Sequence, residues 1–300
     1  RWRCYVEFGG RQDILMLTPE WTGDRFDDGR PRVSDDVIER LKVVSTEEAW
    51  AVLWGKGYEF QFEGGWKQLN PGKVLVGRAV TATFMPRRPD LHDCLMEYGH
   101  SKEGRIGEMN SWVIETLVEG DVVVVDLFGK VFKGTFSGGN LSTTIATRTK
   151  RGQIIDGGIR DAQQILTIDN LVTFCRGMDP TPIRDVTLTG LNGIVRIGNA
   201  TCLPGDIVLA TYTGVLFIPP QFAEEVVEHS ERTRLREFYG LQRLREGVYT
   251  SAQMDTKWTD EIEADFDLWR QSHTPEEFAH LDWSKKTTAE DARDDEETLI

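Results

Sequence analysis

Four consecutive valines, Val122 to Val125, stand between Gly120-Asp121 and Asp126. An unbroken apolar run of this length has no polar face to turn to water. It suits a strand covered on both sides, as in the parallel sheet of an α/β domain. The neighbouring segments support that reading. Val74 to Met85 is rich in Val, Thr and Ala, and Gln153-Ile154-Ile155-Asp156 and Leu171 to Cys175 are further short strands. Helical spacing over Leu141–Arg151 and Asp161–Ile168 separates them. Such alternation predicts an α/β core with a mixed sheet.

Upstream, Ser34-Asp35-Asp36 and Ser45-Thr46-Glu47-Glu48 read as helix starts. Residues 57–73 read as a loop or ribbon. After Val186 the pattern turns to short strands at Gly193–Ile197, Asp206–Ala210 and Gly214–Ile218. Pro219-Pro220 opens a long charged helix over about 221–246, and a final helical region covers about 251–270. The expected organisation is an N-terminal extension (1–33), a core (34–220), a helical extension (221–270) and an acidic, flexible tail (271–300).

The formal net charge of −14 argues against a nucleic-acid partner, which needs a basic footprint. Residues 290–297 alone hold six acids against one Arg, a composition typical of a solvated end. No apolar run reaches the ~20 residues of a membrane span. The N-terminus lacks a signal-peptide pattern, and starting at Arg1 the chain reads as a fragment or a processed form. Cys4, Cys94, Cys175 and Cys202 are widely spaced, as expected of reduced thiols in a cytoplasmic protein without structural zinc.

The chemistry-bearing stretch is Gly138-Gly139-Asn140-Leu141, followed by Gly157-Gly158-Ile159-Arg160-Asp161. Each turn would join a strand to a helix, where α/β proteins bind ligands. Amides at a helix start attract anions. Arg grips a carboxylate with two parallel hydrogen bonds, and Asp is an oxygen ligand suited to Mg²⁺. In isolation an adjacent Arg-Asp is more often a surface ion pair.

The combination has a further meaning. Gly-Gly-Asn-Leu, then Ile-Ile-Asp-Gly-Gly-Ile-Arg-Asp, then Leu-Pro-Gly-Asp-Ile-Val-Leu-Ala with Gly-Val-Leu-Phe-Ile-Pro, resembles the regulator of ribonuclease E activity-like family. That family includes the 4-hydroxy-4-methyl-2-oxoglutarate (4-carboxy-4-hydroxy-2-oxoadipate) aldolases. The resemblance covers about residues 34–230. It implies a swivelling β/β/α-type fold, a homotrimer or hexamer with sites at subunit interfaces, and class II lyase chemistry on a small 2-oxo acid, by aldol cleavage or decarboxylation. By motif match, Asp161 would bind Mg²⁺ or Mn²⁺. Arg160 would hold the 2-oxo acid and stabilise its enolate. Gly138, Asn140 and Leu141 would present the substrate-binding turn. Glu48 would stand beside the metal's water shell. Many relatives carry an acid where this chain has Gly139. Glu48, Asp126, Asp156 or an acid of a neighbouring subunit are candidates to replace it. The same resemblance leaves two alternatives: a non-catalytic binding protein, and a lyase or dehydratase for sugar-derived acids.

Among the remaining residues, His92 and His100 fall in a polar segment read as a surface loop, with covering the site as the minority role. Arg176 and Arg196 read as surface residues rather than anion contacts. The tryptophans, Trp50, Trp54, Trp66 and Trp112 among them, read as packing aromatics.

Overall fold

The computed structural model describes residues 9–283. Cys4 and the acidic run at 290–297 lie outside the described residues. Two compact units divide the chain: residues 9–46 with 59–223, and residues 47–58 with 224–283.

In chain order the elements begin with helices α1 (Arg11–Leu17), α2 (Asp35–Leu41) and α3 (Thr46–Gly55). Strands β1 (Phe62–Glu63), β2 (Lys67–Leu69) and β3 (Leu75–Pro86) follow, then α4 (Pro89–Lys102) and α5 (Met109–Glu115). Next come β4 (Asp121–Ser137), α6 (Gly139–Thr149), β5 (Gly152–Ile159), α7 (Ala162–Ile165) and β6 (Val172–Met178). Short strands β7 (Val186–Leu191), β8 (Val195–Ile197), β9 (Ala200–Cys202), β10 (Ile207–Ala210) and β11 (Val215–Ile218) complete the first unit. The second unit holds α3, α8 (Ala223–Glu246), α9 (Ser251–Met254) and α10 (Asp260–His273).

The first unit is a mixed α/β fold around a nine-stranded sheet in the order β1-β11-β10-β3-β4-β5-β6-β2, with β7 paired to the far half of β3. Strands β3, β4, β5 and β6 run parallel, and the flanking strands pair antiparallel. The valine run behaves as its composition demands. Val123 and Val125 pack with Val80, Ala82 and Ile155 on one face. Val122 and Val124 pack with Ala79, Ile154 and Val208 on the other. All four valines are fully buried. At about 25 cal/mol per Å² of apolar surface, such two-sided burial is the main force holding the sheet centre.

Two elements differ from the sequence expectation. Residues 89–102, in the segment expected as a loop, form a helix; Pro89 sits in the first turn of α4, where its missing N–H costs nothing. The segment expected as a helix over 161–168 closes only one turn, α7. Arg30 reaches the start of β4, where its Nη1 lies 2.8 Å from Asp121 Oδ1, with both side chains buried.

The second unit has its own aromatic core. Tyr239, Phe266 and Trp269 pack together, with ring centroids 5.3 Å (Tyr239–Phe266) and 5.6 Å (Tyr239–Trp269) apart. The Tyr239 hydroxyl donates to Asp265 Oδ2 at 2.8 Å, and Arg243 Nε donates to the same oxygen at 2.9 Å. Burial, the largest single influence, pushes the Asp265 carboxyl up, but hydrogen bonds from Arg243 and Tyr239 together outweigh it and hold the group below its ordinary range. Among the described residues, no helix is long and apolar enough to cross a membrane.

Candidate active site

Strand β4 ends at Ser137, and Gly138 opens α6 in an extended conformation. One strand over, β5 ends at Ile159 and delivers Arg160 and Asp161. The two ends are in register: Ser137 pairs with Ile159, and Arg160 N–H donates to Ser137 C=O at 3.0 Å. Beneath them lies a buried polar network. Ser137 Oγ donates to Gln153 Oε1 at 2.8 Å, Ser142 Oγ to Ser137 Oγ at 3.2 Å, and Gln153 Nε2 to Thr173 Oγ1 at 3.0 Å. Every member is satisfied in a low-dielectric interior, so the network fixes the turn rather than loosening it.

At the start of α6, Ser142 N–H makes the first helical bond, to Gly138 C=O at 2.9 Å. Gly139 N–H instead donates to Asp161 Oδ2 at 3.1 Å. The Asn140 and Leu141 amides precede the first helical donor and are left facing out of the helix start, where a carboxylate is favoured. Asp161 itself adopts φ +56°, a left-handed conformation that Asp tolerates better than most residues. Its Oδ2 lies 3.7 Å from Arg160 Nε, and both side chains are more than two-fifths exposed. Both side chains come close to the glycine backbone. A Cβ on Gly138 would stand 2.4 Å from Asp161 Oδ2 and 2.8 Å from Arg160 Nε. A Cβ on Gly139 would stand 2.0 Å from Gln164 Oε1, the end of an exposed side chain that can swing aside.

The turn opens into a cavity of about 490 Å³, among whose lining residues are Gly138, Leu141 and Arg160. Its other walls come from the end of β3 (Phe84, Arg87), α4 (His92), the start of α5 (Glu108 to Ser111) and the approach to β7 (Arg184, Asp185). The cavity therefore lies at the carboxyl ends of the parallel strands, the position expected for ligands in such sheets. Arg87, Arg160 and Arg184 line it together with the carboxylates Glu108 and Asp185. Asn110 Nδ2 donates to Phe136 C=O at 2.8 Å and pins α5 to β4 beside the turn.

The structure thus brings together Gly138, Asn140, Leu141, Arg160 and Asp161. Glu48 belongs to the second unit, where its buried carboxylate accepts from Ser230 Oγ and lies 3.6 Å from Arg234. Asp156 is held by Arg176 Nε at 2.6 Å, and Asp126 Oδ1 accepts from Phe128 N–H at 2.9 Å. Arg176, with Asp156 and Glu63 as partners and its guanidinium 3.9 Å from the Trp66 ring centroid, is a structural cation and not a surface residue. His92 was expected on a surface loop, with a place near the site as the minority role. It lines the cavity, because Pro89 starts a helix that turns it inward from a segment read as loop.

Among the described residues no group of three or more His, Cys, Asp or Glu is arranged to hold a metal. Asp161 is a lone carboxylate at the turn. Such a donor suits Mg²⁺, which keeps several waters and needs only one or two protein carboxylates beside substrate oxygens.

Comparison with known proteins agrees with this geometry. The RraA-like family (Aldolase/RraA) matches residues 33–217. Protein DlpA of Legionella pneumophila is 27% identical over 179 residues, which is 57% of this chain but 26% of DlpA. A putative 4-hydroxy-4-methyl-2-oxoglutarate aldolase of Halalkalibacterium halodurans is 26% identical over 113 residues, 38% of this chain and 53% of that protein. The chain thus spans about a quarter of the one relative and about half of the other. Streptomyces coelicolor RraAS2, described as an unusual member of the RNase ES inhibitor RraA protein family, superposes with a TM-score of 0.59 at 26% identity, covering 71% of this chain and all of RraAS2. With its parallel strand ends, glycine turns and Arg160-Asp161 pair in the matched segment, the chain belongs to the RraA-like (Aldolase/RraA) family.

Proposed function

We propose that the cavity is the active site of a divalent-metal-dependent lyase that breaks a carbon–carbon bond of a small 2-oxo acid, by aldol cleavage or decarboxylation. The observation that carries this reading is the convergence of a helix start, a guanidinium and a carboxylate on one turn, with Gly139 N–H donating to Asp161 Oδ2 at 3.1 Å. Unpaired amides at Asn140 and Leu141 would take the substrate carboxylate. Arg160 would hold the 2-oxo group and offset the negative charge that grows on its oxygen as the bond breaks. Asp161 would hold Mg²⁺ or Mn²⁺, which as a Lewis acid supplies further stabilisation of that charge. Arg87 and Arg184 make the far wall suited to a second anionic group. A homotrimer or hexamer is the assembly we expect for this function.

The test is direct. Incubated with Mg²⁺ or Mn²⁺ and a panel of 4-hydroxy-2-oxo acids and oxaloacetate, the protein should release pyruvate from at least one of them. Absence of pyruvate from every member would reject the lyase reading. Arg160→Ala should then lower kcat/KM by about 10²–10³-fold, the effect of removing one preorganised donor from a developing oxyanion. A change in KM alone would show that Arg160 only binds.

A second reading, binding without turnover, is favoured by one observation. An acid at position 139 would add a second carboxylate to the turn, whereas Gly139 brings none and the neutral Gln164 amide stands beside it. Failure of the panel with retained metal-independent partner binding would establish it.

A further inference from the structure

Retro-aldol cleavage needs a group that removes the 4-hydroxyl proton, whereas loss of CO₂ from oxaloacetate needs none. Asp161 is engaged at the turn with Gly139 N–H and is the residue best placed for a metal. The cavity wall supplies three other proton acceptors: His92, Glu108 and Asp185. Asp185 is paired with Lys133 Nζ at 3.2 Å. His92 is half-buried on α4, and its Nδ1 lies 3.0 Å from Thr187 Oγ1 on β7. Thr187 is itself fully buried, so this contact anchors the ring. In the tautomer whose Nδ1–H donates to the Thr187 hydroxyl, Nε2 carries the lone pair, and this is the tautomer that a base role requires. An imidazole is also the one side chain here whose ordinary range straddles neutral pH.

We propose that His92 is the general base for aldol cleavage in this chain. This rests on the lyase reading given above. His92 Nε2 takes the 4-hydroxyl proton. The O–H electron pair becomes the second bond of the C4 carbonyl, and the C3–C4 pair passes into the C2–C3 double bond. The charge arrives on the C2 oxygen, beside Arg160. The imidazolium then returns its proton to C3, which gives the 2-oxo acid and restores the base. No other reactant is consumed.

The surroundings keep the ring ready for this task. Burial foremost, with Arg87 second, holds its pKa below 6.5, against the opposing pull of Asp93 and Glu108. Arg160, Arg184 and Asp185 line the same cavity, and Arg87 is itself bridged to Asp93 at 3.3 Å. The neutral, proton-accepting form therefore prevails at pH 7.

His92→Gln should lower pyruvate release from a 4-hydroxy-2-oxo acid by at least about 10²-fold, the usual weight of a positioned base. Oxaloacetate decarboxylation should stay within about threefold, and oxalate, which imitates the enolate, should bind as to the unaltered protein. The rising limb of the aldol pH profile should lie below 6.5 and vanish in the variant. Imidazole NMR of the metal-free protein, assigned by the variant, should give the same midpoint. Equal loss of both reactions would overturn the base role, as would equal survival of both. Loss of aldol cleavage in Glu108→Gln but not in His92→Gln would transfer the role to Glu108 and overturn it too. If the unaltered protein decarboxylates but does not cleave aldols, the lyase reading stands and His92 has no proton to take. If it does neither, both fall.

Discussion

Asp161→Asn should abolish turnover and divalent-cation binding while leaving the fold in place. Asn is chosen because the residue sits at φ +56°, which Asn tolerates at least as well as Asp. An Ala there would add backbone strain of about 1–2 kcal/mol and confuse the result. Asn also keeps a side-chain oxygen for the hydrogen bond from Gly139 N–H, seen here at 3.1 Å. What it removes is the negative charge. That charge matters disproportionately because Asp161 is the lone carboxylate at the turn, and among the described residues no larger acidic or thiol cluster could stand in. Mg²⁺ gives up its hydration shell reluctantly and depends on ionised oxygen ligands. We expect a fall in kcat/KM of more than about 10³-fold, or ~4 kcal/mol of transition-state stabilisation. Titration calorimetry with Mg²⁺ or Mn²⁺ should lose its binding isotherm, and the thermal midpoint should hold. Substantial turnover in Asp161→Asn would mean that the metal, if used, is held by other groups.

The parts of this molecule legible in its sequence are those governed by local pattern. A continuous apolar run identifies a strand covered on both faces, and Val122 to Val125 obey it without exception. Glycines followed by Asn-Leu and by Arg-Asp mark two turns, and chain order puts both at strand ends. What pattern cannot convey is who faces whom across the sheet. Asp161 and Gly139 are 22 positions apart, yet their hydrogen bond defines the turn. Glu48 looked suited to the site by motif position, but its α-helix belongs to a different compact unit, where Ser230 and Arg234 claim it. His92 was hidden for the opposite reason. Its segment is polar, and the helix that holds it starts with a proline in place of a side-chain cap. A hydrophobic pattern is weak there because α4 buries few residues, chiefly Leu95 and Gly99. The one available clue was Pro89 at the first helical position, followed by Asp90.

Arg30→Met should destabilise the first unit by about 3–5 kcal/mol, the cost of leaving a buried charge without its partner. Arg30 and Asp121 form a two-point contact, with Nη1–Oδ1 at 2.8 Å and Nη2–Oδ2 at 3.3 Å. Asp121 is fully buried, and Arg30 is only 2% exposed, so water cannot compensate either one. Burial foremost pushes the Asp121 carboxyl up from its ordinary 3.8, and the Arg30 charge is the main force opposing that rise. With the guanidinium gone, Val118 N–H at 2.8 Å is the remaining donor to the carboxylate. The carboxyl would then rise further. A carboxyl whose folded pKa lies above its unfolded value penalises the fold at high pH, and the penalty shrinks as pH falls. Urea unfolding should therefore show a deficit that narrows between pH 8 and pH 5, opposite to ordinary acid denaturation. The double variant Arg30→Met with Asp121→Leu should recover much of the loss, because replacing both charges leaves nothing unpaired. If Arg30→Met alone costs under about 1 kcal/mol, the N-terminal segment is not anchored through this pair. A loss of the expected size would show that the segment around Arg30 is fastened to the start of the same strand, β4, whose far end forms the glycine turn.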